Sequence, residues 1–82
     1  MKKYDVLVDV GNDFYEKYLK ELIKELDQGK KVEPYVNCIG HTRNNMTQER
    51  YRTELKNHYG NKLHIELSEG AYSYSYIYWL ER

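Results

Sequence analysis

The sequence contains very few of the residues that staple, bend or densely fill a small domain. Its 82 residues include one Cys, one Pro, one Trp and one Phe. The single Cys38 cannot form an internal disulfide, and no Cys/His spacing typical of a zinc site is present. Disulfide scaffolds and zinc modules are therefore excluded, and Cys38 is expected to be a small buried hydrophobic side chain.

Net charge and long apolar runs are missing as well. Thirteen basic side chains balance thirteen acidic ones, which argues against a globally basic nucleic-acid-binding protein. No apolar stretch is long enough to cross a bilayer, and Asp5 and Asp9 interrupt the segment that a secretory signal would need. We therefore expect a cytoplasmic protein without membrane association.

The chain is also short, which limits what it can fold into. Residues 1–82 suffice for a single domain with one small core. No phosphate-binding loop, nucleophile–base set or metal cluster is recognisable in so short a sequence. The sequence therefore predicts a protein that is not an enzyme and that binds no cofactor.

Tyrosine is present in excess, with ten Tyr among twelve aromatic residues. A tyrosine buries its ring while its hydroxyl stays in water, so it suits half-buried surfaces better than a dry core. The composition therefore predicts a thin core and a tyrosine-rich surface.

The first half of the chain predicts a strand, a helix and a second strand. Apolar residues alternate over 4–10, as in a half-buried strand, and recur at helical spacing over 14–28. Asp13 is the expected N-cap of this helix, with Glu16 completing a capping box. The second strand is predicted over residues 31–39, and its Pro34 favours an edge strand or a bulge.

A second helix is predicted after a loop over residues 40–45. It is expected to begin near Asn45 or Thr47 and to run to about His58. Its apolar stripe has one residue per turn, which is typical of a peripheral helix. The stripe comprises Met46, Tyr51, Leu55 and Tyr59.

The C-terminus is predicted to form a hairpin with a two-residue turn at Glu69-Gly70. This turn would place Ile65 opposite Tyr74 and Leu63 opposite Tyr76. The face of the hairpin that points toward the helices would then present a row of apolar and tyrosine side chains. That row comprises Leu63, Ile65, Leu67, Tyr72, Tyr74, Tyr76, Tyr78 and Leu80.

Together these elements predict an α+β fold, a two-layer sandwich of order β-α-β-α-β-β with a mixed four-stranded sheet. Right-handed crossovers in one direction would place both helices on one face of the sheet. The other face would stay open to solvent. It would present Asp5, Asp9, His64, Glu66, Ser73, Ser75 and Trp79.

The leading functional hypothesis is a protein-binding module that uses the C-terminal strand. Tyr and Ser together form adaptable binding surfaces, and Trp79 is the expected hot spot. The partner would be a larger protein or nucleoprotein complex, for example a nucleic-acid-handling enzyme that the module inhibits or adapts, as phage and mobile-element accessory proteins do. The predicted binding residues are Tyr74, Tyr76, Ile77, Tyr78 and Trp79. The long uncharged strand also suggests a homodimer formed through its edge.

Two alternatives remain open. Residues 41–62 carry five basic and two acidic side chains, so RNA or single-stranded DNA could bind there with the aromatic strand. Its contacts would come from Arg43, Arg50, Arg52 and Lys56. A small ribonuclease is the second alternative, with His41 and either His58 or His64 as the acid and base.

Overall fold

The computed structural model describes residues 3–36, 41–69 and 74–81, with the side chains of 41–45 and 74 left aside. Within these residues the chain forms four strands and two helices in the predicted order, and the α+β prediction is confirmed. The elements are β1 (Val6–Gly11), α1 (Glu16–Asp27), β2 (Val32–Val36), α2 (His41–Tyr59), a 3₁₀ turn (Gly60–Lys62), β3 (Leu63–Glu69) and β4 (Tyr74–Leu80).

The strands form one mixed sheet in the order β1-β2-β4-β3. β1 and β2 are parallel, whereas β4 is antiparallel to both of its neighbours. α1 and α2 pack against each other and against the same face of the sheet. The predicted two-layer arrangement is therefore confirmed. β4 lies inside the sheet, with β2 on one side and β3 on the other. The C-terminal strand therefore is not an edge strand, and the predicted homodimer through its edge was wrong.

α1 begins differently from the sequence prediction. Its first residue is Glu16 and its N-cap is Tyr15, whose side chain makes no capping hydrogen bond, so the prediction of Asp13 as the N-cap was wrong. The Tyr15 N–H donates to the hydroxyl of Tyr51 on α2 at 3.0 Å. A tertiary hydrogen bond thus lies at the start of the helix. The helix ends as predicted, with Gly29 at a φ of 83°.

α2 begins at His41, so the predicted loop over residues 40–45 was wrong for 41–45, whereas Gly40 lies outside the described residues. Its buried face is also broader than the predicted stripe. Tyr51 and Leu55 are fully buried as expected, but Met46 is 68% exposed. Thr47 lies inside instead, where its hydroxyl donates to the Asn12 carbonyl at 2.6 Å. A hydrogen bond of this kind offsets the free-energy cost of burying a hydroxyl. Because Thr47, Tyr51 and Leu55 are all buried, α2 belongs to the core and is not a peripheral helix.

β2 is an interior strand, so of the two predictions for Pro34 the edge strand was wrong. A register shift, as in a bulge, does follow Pro34, where Asp9 pairs with Tyr35 and Gly11 with Val36. Pro34 is buried and lies opposite Val8 of β1. Between β2 and β4 the paired residues described are Val32 and Tyr78, and Val32 lies two residues before the proline. Proline has no N–H to donate to a neighbouring strand. Pro34 is tolerated in this interior strand because it lies beyond the described pairing with β4.

The hairpin pairs Leu63 with Leu80, Ile65 with Tyr78 and Leu67 with Tyr76. The predicted turn at Glu69-Gly70 was wrong, because Glu69 still pairs with Tyr74. The register is displaced by four residues from the prediction. Because four is an even number, each side chain keeps its predicted face, and Tyr78 lies in the core as expected.

Candidate binding surface

The five predicted protein-binding residues do not lie together on one accessible surface. Tyr78 is fully buried beneath the helices, and Ile77 is fully buried on the opposite face. Tyr76 is half-buried on the helix side, where its hydroxyl donates to Glu49 at 2.9 Å. The Tyr74 side chain lies outside the described residues. Within this set, Trp79 is the described side chain that reaches the surface opposite the helices.

Trp79 is held between two partners on this face. The His64 ring, directly opposite on β3, stacks on the indole with centroids 5.6 Å apart and planes 12° apart. The Lys31 ammonium lies 4.5 Å from the indole centroid, within cation–π distance. The Lys31 backbone N–H in turn donates to the Asp5 carboxylate at 2.9 Å. The indole is therefore fixed in position.

Two exposed apolar side chains extend this face toward β1. Leu7 on β1 is 48% exposed and Tyr35 on β2 is 43% exposed. Both belong to the strand faces that point away from the helices, because Val8, Val32 and Pro34 point into the core. We call the set Leu7, Tyr35, His64 and Trp79 the open-face cluster.

Leu7, Tyr35 and Lys31 were not among the site residues predicted from the sequence. The alternation along the first strand did place Leu7 beside Asp5 and Asp9, so a signal was present for that residue. Tyr35 alternates with buried Val36 in the same way. Nothing in the linear sequence brings Lys31 to Trp79, because their contact depends on β2 lying next to β4.

Carboxylates surround the open-face cluster. Those on the same face belong to Asp5, Asp9, Glu33 and Glu66. Three of them accept hydrogen bonds: Asp5 from the Lys31 N–H, Asp9 from the Gly11 N–H at 3.0 Å and Glu33 from the Ser75 hydroxyl at 2.7 Å. Lys3 and Lys31 border the same region. Acidic groups therefore outnumber lysines on this part of the described surface.

Two shallow depressions of about 490 and 410 Å³ adjoin on this face, because both include Asp5 and Lys31. Polar groups dominate the wall of the first, which includes Glu66, whereas Trp79 and Leu80 add apolar wall to the second. Small-molecule sites are usually lined mainly by apolar groups. The lining of the first depression thus differs from that of a small-molecule pocket.

The basic residues predicted to contact nucleic acid do not form one patch. Arg50 lies over the Phe14 ring at 4.2 Å, whereas Arg52 bonds Glu49 at 2.9 Å. Residues two apart on a helix point to different sides, so the two guanidinium groups lie on opposite flanks of α2. Lys56 is exposed one turn beyond Arg52. The Arg43 side chain lies outside the described residues.

The Arg52 guanidinium is part of a network with Glu49 and Tyr76. Its Nε and Nη2 both donate to Oε1 of Glu49, and the Tyr76 hydroxyl donates to Oε2. The hydrogen bond from Arg52 is the main reason that the pKa of Glu49 lies below its ordinary value of 4.5. The network ties α2 to β4 across the helix-side surface.

This network makes the stability depend on pH. A carboxyl whose pKa is lowered by folding stabilises the protein above its unfolded-state pKa, and the contribution disappears as the pH falls through the folded-state pKa. Glu49→Gln should therefore lower the free energy of unfolding at neutral pH by less than about 1 kcal/mol, because the pair is solvent-exposed. The difference from wild type should shrink at pH values below 4.5.

Urea unfolding of both proteins at a series of pH values measures this difference. The control is Glu54→Gln, which removes a carboxylate of the same helix and leaves the Glu49–Arg52–Tyr76 network in place. A Glu49→Gln difference that stays constant down to the acid limit would contradict the assignment.

Two of the three histidines of the ribonuclease hypothesis lie on different sides of the molecule. His58 is exposed on α2 and meets the Tyr59 ring edge-on at 4.6 Å. His64 lies on the other face of the sheet, stacked on Trp79. The His41 side chain, which both predicted pairs contain, lies outside the described residues.

Among residues 3–36, 41–69 and 74–81, no three His, Cys, Asp or Glu side chains are placed to hold a metal ion. Neither α1 nor α2 combines the length and apolar character of a bilayer-spanning helix. Comparison with protein-family models, with curated proteins and with solved structures found no match to this chain.

Proposed function

We propose that the chain is a protein-binding module whose open-face cluster docks onto a basic, partly apolar patch of a larger protein. The observation that carries the proposal is the one-sided packing of the sheet: both helices cover the same face. The other face presents Leu7 and Tyr35 to solvent. Apolar side chains grouped on such a face and rimmed by polar groups mark interaction sites.

The charge on this face defines the chemistry of the partner. Asp5, Asp9, Glu33 and Glu66 place negative charge around the apolar side chains. A partner surface with lysine or arginine side chains would complement these carboxylates and would associate faster at low salt. An acidic or phosphate-bearing partner would be repelled.

Trp79 suits the role of the central anchor. Tryptophan is enriched among residues that dominate binding energy. Because His64 and Lys31 already hold the indole, little rotamer freedom is left to lose on binding. Of the predicted binding residues, Trp79 is therefore retained. Tyr78 and Ile77 are buried, and Leu7 and Tyr35 take their place.

The geometry supports nucleic-acid binding less well. Aromatic side chains that stack on unpaired bases work inside a positively charged groove. Here the accessible aromatic residues lie among carboxylates, and the guanidinium groups of Arg50 and Arg52 are engaged elsewhere. A chain with one binding surface would act by occupying a site on its partner, as an inhibitor or adaptor does.

The test uses exposed apolar and aromatic residues on the two sides of the molecule. Leu7 and Tyr35 are 48% and 43% exposed on the open face, and Met46 and Tyr15 are 68% and 49% exposed outside it. The double variant Leu7→Ala/Tyr35→Ala removes the open-face pair. Met46→Ala/Tyr15→Ala removes the control pair from outside that face and from outside β3. Trp79→Ala forms the third variant.

Each protein is immobilised and exposed to nuclease-treated lysate of the source cells, and the retained protein is then purified and titrated against all variants. We expect a retained protein with a basic surface, roughly tenfold weaker binding to Leu7→Ala/Tyr35→Ala and to Trp79→Ala, and unchanged binding to the control. Equal binding to all variants, or retention of nucleic acid alone without nuclease, would overturn the proposal.

A further inference from the structure

β3, seven residues long, forms one edge of the sheet. It pairs with β4 on one side, and no described strand lies on its other side. The pairing of β3 with β4 runs without a register shift from Leu63 to Glu69. A long regular edge of this kind is a template for another strand unless charges, proline or a bulge protect it.

The hydrogen-bond pattern shows which residues point outward. The Glu81 N–H donates to the Lys62 carbonyl at 2.9 Å, which makes these opposed residues a hydrogen-bonded pair. Such pairs alternate along an antiparallel ladder, so His64 and Glu66 also direct their backbone groups to β4. The N–H and C=O groups of Leu63, Ile65 and Leu67 consequently face away from the sheet.

We propose that β3 pairs with β3 of a second copy of this chain, antiparallel and with the twofold axis at Ile65. In this register Ile65 faces Ile65, and Leu63 faces Leu67 of the second copy. Both are hydrogen-bonded pairs, so six backbone hydrogen bonds form.

The side chains complement one another in the same register. His64 lies opposite Glu66 of the second copy, twice by symmetry, at positions where antiparallel side chains approach closely. An imidazole N–H can donate to the carboxylate there. Moving the axis by one residue to Glu66 would set two carboxylates against each other, which is destabilising. Leu67, 48% exposed in the single chain, would be covered by Leu63.

The other edge of the sheet is protected against the same event. A twofold axis at Leu7 of β1 would place Asp5 opposite Asp9 of the second copy twice. The β1 register also shifts between Asp9 and Gly11, where Gly11 has a φ of 69°. Like charges and a bulge are features that prevent edge pairing, and β3 has neither in the proposed register.

The dimer would be a continuous eight-stranded sheet with both open faces on the same side. Two copies of the open-face cluster could then engage a repeated or symmetric partner, which raises apparent affinity without new contacts. The β3 pairing does not rest on the proposed function, because its hydrogen bonds come from the backbone edge of β3. His64 belongs to both, since its side chain stacks on Trp79 and lies opposite Glu66 of the second copy.

Sedimentation velocity of the full chain from micromolar to millimolar concentration tests the proposal. We expect wild type to approach twice the 10.0 kDa mass of one chain. His64→Glu and Glu66→His, each alone, should raise the dissociation constant roughly tenfold, because each replaces two complementary pairs by like pairs. The double exchange His64→Glu/Glu66→His should restore dimerisation.

A backbone variant provides the second readout. Leu67→Pro removes an N–H that faces outward and leaves the ladder to β4 intact, and edge strands tolerate proline. By symmetry it deletes two intermolecular hydrogen bonds, so we expect roughly thirtyfold weaker dimerisation. Circular dichroism verifies that the variant is folded. Glu21→His, the same exchange on the exposed side of α1, serves as the control and should dimerise as wild type.

A wild-type chain that stays monomeric up to millimolar concentration would overturn the proposal. So would a dimer that is insensitive to Leu67→Pro, or one that the double exchange weakens as much as the single ones, because either would place the contact elsewhere.

Discussion

Replacing Tyr78 by alanine is expected to unfold a large part of the protein at 37 °C, although this residue belongs to the set first predicted to bind a partner. Tyr78 is fully buried between the sheet and the helices, opposite Ile65 of β3 and Val32 of β2. Truncating a buried aromatic ring costs about 4 kcal/mol. A domain of this length has a total stability of roughly 4–12 kcal/mol.

Thermal unfolding followed by circular dichroism measures the effect, and a decrease in Tm of about 20 °C is expected. Trp79→Ala is the matched control, because it removes an aromatic ring from the next residue on the same strand. Trp79 lies on the open face and is half-buried, so its loss should cost about half as much or less. Comparable losses for the two variants, or a wild-type Tm for Tyr78→Ala, would contradict the assignment of faces.

Replacing Leu55 by alanine is expected to destabilise the fold by about 3 kcal/mol, whereas Met46→Ala should change it by less than about 0.5 kcal/mol. Both residues belong to the apolar stripe that the sequence predicts for the second helix. Leu55 is fully buried in the core of the two-layer fold, but Met46 is 68% exposed. A cavity therefore forms at one position and not at the other.

Urea denaturation of the two variants tests this contrast directly. A peripheral second helix, as the narrow stripe suggested, would make both effects small. A large loss for Met46→Ala would mean that the inner face of α2 is rotated from the one found here. Equal m-values for both variants and wild type would confirm that the comparison concerns stability and not a change in the unfolded state.

The order of the elements and the face of each strand were predictable from the sequence. Alternation of Val6, Val8 and Val10 determines which side of β1 is buried, and helical spacing does the same for Leu22 and Leu26 in α1. These patterns are local, because each records the burial of one element against one surface. The hairpin faces were predictable for the same reason, since a shift of four residues leaves every side chain on its own face.

Features that depend on a second element were not predictable from local patterns. At the start of α1 the Tyr15 N–H donates to the hydroxyl of Tyr51, which lies 36 residues away. The burial of Thr47 depends on the Asn12 carbonyl in the same way. The hairpin register was also missed, because Glu69 and Gly70 favour a tight turn locally, whereas in the structure Glu69 still pairs with Tyr74.

The candidate site was predictable in part for the same reason. The sequence alone predicts that Trp79 and His64 share the face away from the helices, because strand alternation has period two. That Lys31, Leu7 and Tyr35 join them and that β3 forms the edge is seen only in the tertiary structure. Strand order depends on packing between segments far apart in the chain, and β4 lies between β2 and β3, where Tyr78 packs in one core with residues of both helices.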